Sequence, residues 1–321
     1  MRVLSGIQPS GRPHLGNYFS MMRRMIEYQA RCDLYCFIAS YHSLTTVTDG
    51  KQLSEQTLGV AIDFLALGMD PERSVFWVQS DVPEVLELAW LLSMHITVPQ
   101  MELAHSYKDK VAQGISPSGG LFFYPVLMTA DILLFGAERV PVGRDQKQHL
   151  EMARDICGRF NNAYGETFIM PEADILHTVA TVPGIDGRKM SKSYNNAIYP
   201  FAPEKELRKS IMAIQTDSTP VDEPKNPEGS ALYDIFALFL DEQGRTNLAE
   251  RFRTPGEGYG HIKQDLYLTV LEYFGSYREK HAELSKRPDD IRDMLKSGAA
   301  RARATARPFL ERARERVGLI Y

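Results

Sequence analysis

The 321-residue chain is poor in cysteine, with only Cys32, Cys36 and Cys157. Three thiols cannot build a disulfide framework, and none lies in a Cys-x-x-Cys pair or a Cys/His cluster with zinc spacing. Free, mostly buried thiols and no protein-bound metal are expected. Long apolar runs are also missing. No stretch reaches the roughly eighteen residues that a membrane helix needs. Met1 to Ser10 has no basic start followed by an apolar core, as a signal peptide would. The expectation is a cytoplasmic protein without a membrane partner. Excess positive charge is lacking as well: 37 Lys and Arg stand against 41 Asp and Glu, a net charge of −4. That balance excludes a protein coated in cations for nucleic acid.

The charge is unevenly spread. From Lys296 to Tyr321, seven basic residues (Lys296, Arg301, Arg303, Arg307, Arg312, Arg314, Arg316) face only Glu311 and Glu315, a local +5 against −9 for the rest. A local basic face can hold a polyanion on an acidic molecule, and a solvated arginine-rich helix face is the equal alternative. With 44% hydrophobic and 24% charged residues, the composition is that of a globular chain rather than a disordered or fibrous one.

Short β-branched and aromatic runs at 2–6, 34–41, 74–80 and 139–143 alternate with helical patterns at 18–30, 53–67, 85–93 and 120–135. This rhythm predicts a Rossmann-like, doubly wound parallel sheet. After Pro200 the strand signal fades, and helices are predicted at 204–214, 231–240, 260–279, 288–295 and 299–317. The division expected is residues 1–199 as an α/β domain and 200–321 as an all-helical one. Residues 215–230 read as a loop.

Two stretches carry chemistry. Ser5-Gly6-Ile7-Gln8-Pro9-Ser10-Gly11 closes the first strand, and Pro13-His14-Leu15-Gly16-Asn17 opens a helix. Ligands of an α/β sheet bind at strand carboxyl ends, where helix N-termini offer free N–H groups to anions. Glycines let the backbone approach the ligand, and His14 and Asn17 can add donors to a triphosphate. Such a turn is by itself often only a turn. The second stretch, Gly187-Arg188-Lys189-Met190-Ser191-Lys192-Ser193, places two lysines in a polar loop, where ammonium groups can follow migrating phosphate charge. Asp131 is notable in its own right, because it interrupts the apolar run from Phe122 to Phe135, and a buried carboxylate without a partner is costly. It is either a capped structural acid or a site residue.

Together the His14 stretch and the Lys189–Ser193 pentapeptide resemble the two signatures of class I aminoacyl-tRNA synthetases. Within that class the chain is similar to bacterial-type tryptophanyl-tRNA synthetases. The similarity runs through Tyr124-Pro125-Val126-Leu127-Met128-Thr129-Ala130-Asp131-Ile132-Leu133, Val140-Pro141-Val142-Gly143-Arg144-Asp145-Gln146-Lys147-Gln148-His149, Thr216-Asp217-Ser218 and Gly258-Tyr259-Gly260. It covers nearly the whole chain and implies a catalytic Rossmann domain, a helical anticodon-recognition domain and a homodimer.

Carried over residue by residue, the resemblance implies ATP contacts at Gln8, Pro9, Ser10, Gly16, Asn17, Gly143, Arg144, Asp145, Met190, Ser191 and Ser193. It adds a backbone contact to adenine at Thr181 or Val182. Catalytic roles fall on His14, Lys110, Lys189 and Lys192. Tryptophan contacts fall on Asp131 for the indole N–H, on Tyr124 and Gln146 for the α-amino group, and on Gly6, His42, Met128, Val140 and Val142 as lining. Without the family, Met128, Val140 and Val142 read as core packing. An indole N–H only donates and a carboxylate only accepts. A site committed to that bond rejects phenylalanine by roughly four or five orders of magnitude.

Three departures stand out: Ser40 replaces a common aspartate, Arg144 a usual glutamate, and the connection Pro183-Gly184-Ile185-Asp186-Gly187 is one residue shorter than in some relatives. The implied reaction joins L-tryptophan and ATP as tryptophanyl-adenylate, then passes the acyl group to the 3′ end of tRNA(Trp), with Mg²⁺ accompanying the ATP phosphates. Tyrosyl-tRNA synthetase and a small-molecule nucleotidyltransferase of the same superfamily are the rival readings.

Overall fold

The computed structural model describes residues 1–104, 107–108, 118–143, 146–175 and 181–321. Five strands, β1 (Arg2–Ile7), β2 (Asp33–Ile38), β3 (Val75–Val78), β4 (Arg139–Val142) and β5 (Glu172–Ile175), pair in parallel in the order β3-β2-β1-β4-β5. The chain builds outward from β1 to β3, then returns to the other side of β1 for β4 and β5. Adjacent β1 and β4 therefore send their connections in opposite directions, and a crevice opens beyond their carboxyl ends.

Side chains alternate across the sheet, and each face is apolar because both are covered. On β2, Leu34, Cys36 and Ile38 pack into one layer, while Tyr35 and Phe37 pack into the other. The first layer holds α1 (Leu15–Asn17), α2 (Arg23–Tyr28) and α4 (Gly50–Ala66), with a π-helical turn, Tyr18–Met22, between α1 and α2. A short α3 (Ser40–Ser43) follows β2, and α6 (Val98–Glu102) lies between β3 and β4 in the chain. The second layer holds α5 (Glu84–Ser93), α7 (Gly119–Leu134) and α8 (Lys147–Tyr164). Helices α9 (Glu204–Met212), α10 (Ala231–Ala237), α11 (Glu242–Arg253) and α12 (Tyr259–Leu284) extend the first layer's core through Leu207, Leu232, Phe252 and Phe274.

The last helix, α13 (Pro288–Arg316), returns to the sheet and covers the otherwise open edge at β3, the kind of edge that proteins shield from pairing. Ala299, Ala302, Ala306, Leu310 and Ala313 form its buried stripe. At Gly298 the approach is so close that an added Cβ would sit 1.8 Å from the Phe76 carbonyl oxygen. Arginines of this helix reach inward. Arg301 donates to the carbonyls of Pro71 (2.6 Å) and Ser74 (2.8 Å), and Arg303 pairs with Glu84 (2.7 Å). Arg314 grips Glu87 with two bonds, of 2.5 and 2.6 Å, and Arg312 donates to the Thr167 carbonyl. Of the basic residues that make the tail +5, four are thus engaged in bracing it against the α/β body.

The structure departs from the predicted elements in recognisable ways. β2 and β3 end before Tyr41 and Ser80, because α3 and a 3₁₀ turn, Gln79–Asp81, take over. The break expected at 296–298 is absent: Gly298 is helical inside α13 because only a residue without a Cβ fits against Phe76. β5, α8 and α11 have no counterpart among the predicted elements. β5 is four residues long, too short for a period to appear, and α11 is mostly polar. The thiols follow expectation, with Cys36 and Cys157 buried, Cys32 partly so, and all three free.

Candidate active site

The crevice between the ends of β1 and β4 holds a cavity of about 390 Å³. Gly6 and Gln8 come from β1 and its turn, Val140, Val142 and Gly143 from β4, His42 from α3, Tyr124, Met128 and Asp131 from α7, and Gln146 from the start of α8. The eight residues expected to hold the amino acid thus line one space, although they are spread from position 6 to 146. Gly6 has to lack a side chain, since a Cβ there would meet the Phe37 ring at 2.6 Å.

Asp131 is 3% exposed and forms part of the cavity wall. His42 Nε2 lies 2.8 Å from its Oδ2, and Gln79 Nε2 donates to both oxygens at 2.8 Å. The Tyr41 N–H binds Gln79 Oε1 at 3.0 Å, which turns the amide so that its donor end meets the acid. Burial pushes the Asp131 carboxyl above its ordinary range, and the His42 and Gln79 bonds oppose that push. Two carboxylate oxygens offer about four acceptor positions, so capacity for a donor from the cavity is left. Nearby, the Tyr124 hydroxyl bonds His149 Nε2.

The second region lies at the N-terminus of α1. His14 caps this helix: its Nδ1 accepts from Asn17 N–H at 3.2 Å, while Asn17 Oδ1 accepts from His14 N–H at 3.1 Å. Burial, then the charges of Lys192 and Lys189, pull the imidazole down to about 4. The ring is therefore neutral at pH 7, and with Nδ1 accepting, the proton sits on Nε2 as a donor. A Cβ at Gly16 would lie 2.8 Å from the His14 ring.

The two signature stretches meet here. Gly16 N–H points at Met190 Sδ (3.3 Å), and Lys192 Nζ donates to the Ser10 carbonyl (2.6 Å). Met190 N–H binds the Val182 carbonyl at 2.9 Å, with Pro183 and Lys189 paired across an antiparallel bridge. Asn196 fastens the loop from inside. Its Nδ2 donates to Asp186 (2.7 Å) and to the Lys189 carbonyl, and its Oδ1 accepts from Ser191 N–H (2.8 Å). Met190 is buried as an anchor, while Lys189 and Ser193 are exposed and Lys192 half-buried. Buried Val182 has its carbonyl engaged, and Thr181 is exposed.

Pro9, Ser10 and Asn17 lie in the same turn and helix start; Lys110, Arg144 and Asp145 fall outside the described residues. Sequence reasoning missed Gln79, Met21 and Asn196. Met21 lines the cavity and Asn196 builds the loop. The available signal was Gln79, a polar residue ending an apolar strand. The departure at Ser40 is accounted for, because its hydroxyl accepts from Ser80 N–H at 3.1 Å and fixes the turn that presents Gln79.

A family model described as tRNA synthetases class I (W and Y) matches residues 1–275. The tryptophan–tRNA ligase of Campylobacter jejuni is 50% identical over 319 residues, 99% of this chain and 100% of that one. The tryptophan–tRNA ligase of Fusobacterium nucleatum is 50% identical over 320 residues, 99% of this chain and 98% of the relative. A solved tryptophanyl-tRNA synthetase of Campylobacter jejuni, in complex with ADP and tryptophan, has the same fold with a TM-score of 0.94, over 99% of this chain and 100% of that one. On this scaffold, with the β1–β4 cavity and both signature stretches in place, the chain belongs to the class I tRNA synthetases, in the tryptophan–tRNA ligase family.

Proposed function

We infer that the chain activates L-tryptophan with ATP as tryptophanyl-adenylate and transfers the tryptophanyl group to the 3′ end of tRNA(Trp). The observation that carries this reading is a carboxylate, Asp131, held by two donors in the wall of an otherwise largely apolar cavity. It accepts the indole N–H, while Tyr124 and Gln146 receive the α-amino group.

The tryptophan carboxylate attacks the α-phosphorus, and pyrophosphate leaves. No side-chain nucleophile is needed, so the chain contributes placement and charge neutralisation. His14 Nε2–H, the N-terminal N–H groups of α1, and Lys110, Lys189 and Lys192 act on the phosphates. Mg²⁺ arrives with ATP, carried by phosphate oxygens. Residues 1–199 serve catalysis and 200–321 serve anticodon recognition.

A homodimer is supported by α5, where Leu86, Trp90 and the capping residue Met94 repeat every four residues on one exposed face, continued by Val98 and Leu103. Among the described residues no helix is long and apolar enough to cross a membrane. The cytoplasm, where tRNA is charged, is the proposed location. Pyrophosphate exchange measured with each of the amino acids tests the reading. Exchange with tryptophan and not with tyrosine or phenylalanine is expected, and exchange with tyrosine instead would replace it by the tyrosine reading.

A further inference from the structure

Helix α7 carries Asp131 and, two turns earlier on the same face, Tyr124, and both line the cavity between β1 and β4. The Tyr124 ring contacts two imidazoles: the His149 ring lies 5.2 Å away at 60°, and the His42 ring 6.4 Å away at 75°. The Tyr124 hydroxyl and His149 Nε2 share a hydrogen bond.

His149 belongs to α8. It is buried, and it is not among the residues that line the cavity. One turn before it, at the N-cap of the same helix, Gln146 does line the cavity. The start of α8 thus supplies both a wall residue and a partner for the Tyr124 hydroxyl.

A tyrosine hydroxyl has one proton to give and lone pairs to accept with, whereas an ammonium only gives. To receive an α-ammonium from the cavity, the Tyr124 oxygen has to spend its own proton elsewhere. His149 Nε2 takes that proton when the imidazole carries its hydrogen on Nδ1. The opposite arrangement, with Nε2–H donating, would leave the hydroxyl proton free to point at the ammonium and oppose it. Ring contacts hold the phenol in place, but the direction of this bond decides which ligand group it can meet. We propose that His149 is a positioning residue that fixes the Tyr124 hydroxyl as an acceptor, and so makes the cavity select ligands that carry a free α-ammonium. This rests on the activation reading, which wild-type pyrophosphate exchange tests by itself.

The test compares two probes that differ by the ammonium. L-Tryptophan is the substrate. Indole-3-propionate, which keeps the indole and the carboxylate but lacks the amino group, is the competitive inhibitor of tryptophan-dependent exchange. His149→Leu should raise the tryptophan KM about tenfold, the loss of one charge-assisted hydrogen bond, and leave the inhibition constant of indole-3-propionate within about twofold. His149→Gln keeps an acceptor at similar reach, so its KM should return to within about threefold of wild type. In a Tyr124→Phe background neither substitution should change the KM further. Equal weakening of both probes would overturn the proposal, because His149 would then shape the pocket as a whole. So would an unchanged KM in His149→Leu, or a glutamine variant as impaired as the leucine one. If His149→Leu fails to fold in a thermal melt, His149→Phe, which keeps a ring and removes the acceptor, decides by the same criterion.

Discussion

Gln79 Nε2 lies 2.8 Å from both carboxylate oxygens of Asp131, although the two residues are 52 positions apart. One sits in the turn after β3, the other on α7. Their union, with His42 as the third member, turns a buried acid from a liability into a fixed acceptor facing the cavity.

Asp131→Ala should reduce tryptophan-dependent pyrophosphate exchange by about a thousandfold or more, since the indole N–H loses its acceptor. ATP affinity should stay within about twofold. Gln79→Leu removes the aim of the acid but not the acid, and should raise the tryptophan KM about tenfold. Exchange kinetics with tryptophan and ATP varied separately decide both. A wild-type tryptophan KM in Gln79→Leu would mean that His42 alone suffices.

His14 makes stability depend on pH in a predictable direction. Its imidazole titrates at about 4 in the folded chain and at about 6.5 when unfolded. Between these values the unfolded chain holds a proton that the folded chain does not, so stability rises with pH through the window and is fully present above about 6.5. Acidification from 6.5 to 4 should cost up to about 3 kcal/mol through this group. His14→Asn keeps a capping acceptor without titrating, so its stability should fall less steeply. Urea denaturation between pH 4.5 and 7.5 compares the two, and parallel curves would show that His14 is not the source.

Gly298→Val should be among the most damaging single changes. The new side chain collides with the Phe76 backbone, and the expected loss is about 3 kcal/mol or more. The side chains of Arg303 and Arg314 are 41% and 42% exposed, so each ion pair is worth only about 0.5–1 kcal/mol. Neutralising Arg301, Arg303 and Arg314 together should lower Tm by several degrees and leave the salt dependence of tRNA binding nearly unchanged. A large drop in that slope at constant Tm would return these residues to a role in holding tRNA.

Trp90→Glu places a charge in the apolar face of α5, where Trp90 is 64% and Met94 62% exposed. Sedimentation should show the chain shifting from dimer to monomer with its secondary structure intact. A wild-type mass would place the dimer contact elsewhere.

The repeating strand and helix signals, the glycine turn before His14, the two lysines of the 189–193 loop and the odd acid at 131 were legible in the linear chain. Each is a local matter of period, turn chemistry or polarity. The other lining residues were marked only by the similarity to a known family, since by residue type Met128, Val140 and Val142 read as core packing. Tertiary structure decided the rest. Gln79 reads as an ordinary end to a strand until Tyr41 and Asp131, from other elements, meet its two ends. Gly298 reads as a helix break until the edge of β3 occupies the space a Cβ would need. The basic tail reads equally as a polyanion face or a solvated helix face until Pro71, Ser74, Glu84 and Glu87 claim its arginines. A count of charges along a chain carries no direction, and which way a side chain points is settled only when the partners that neutralise it are brought within a few ångströms.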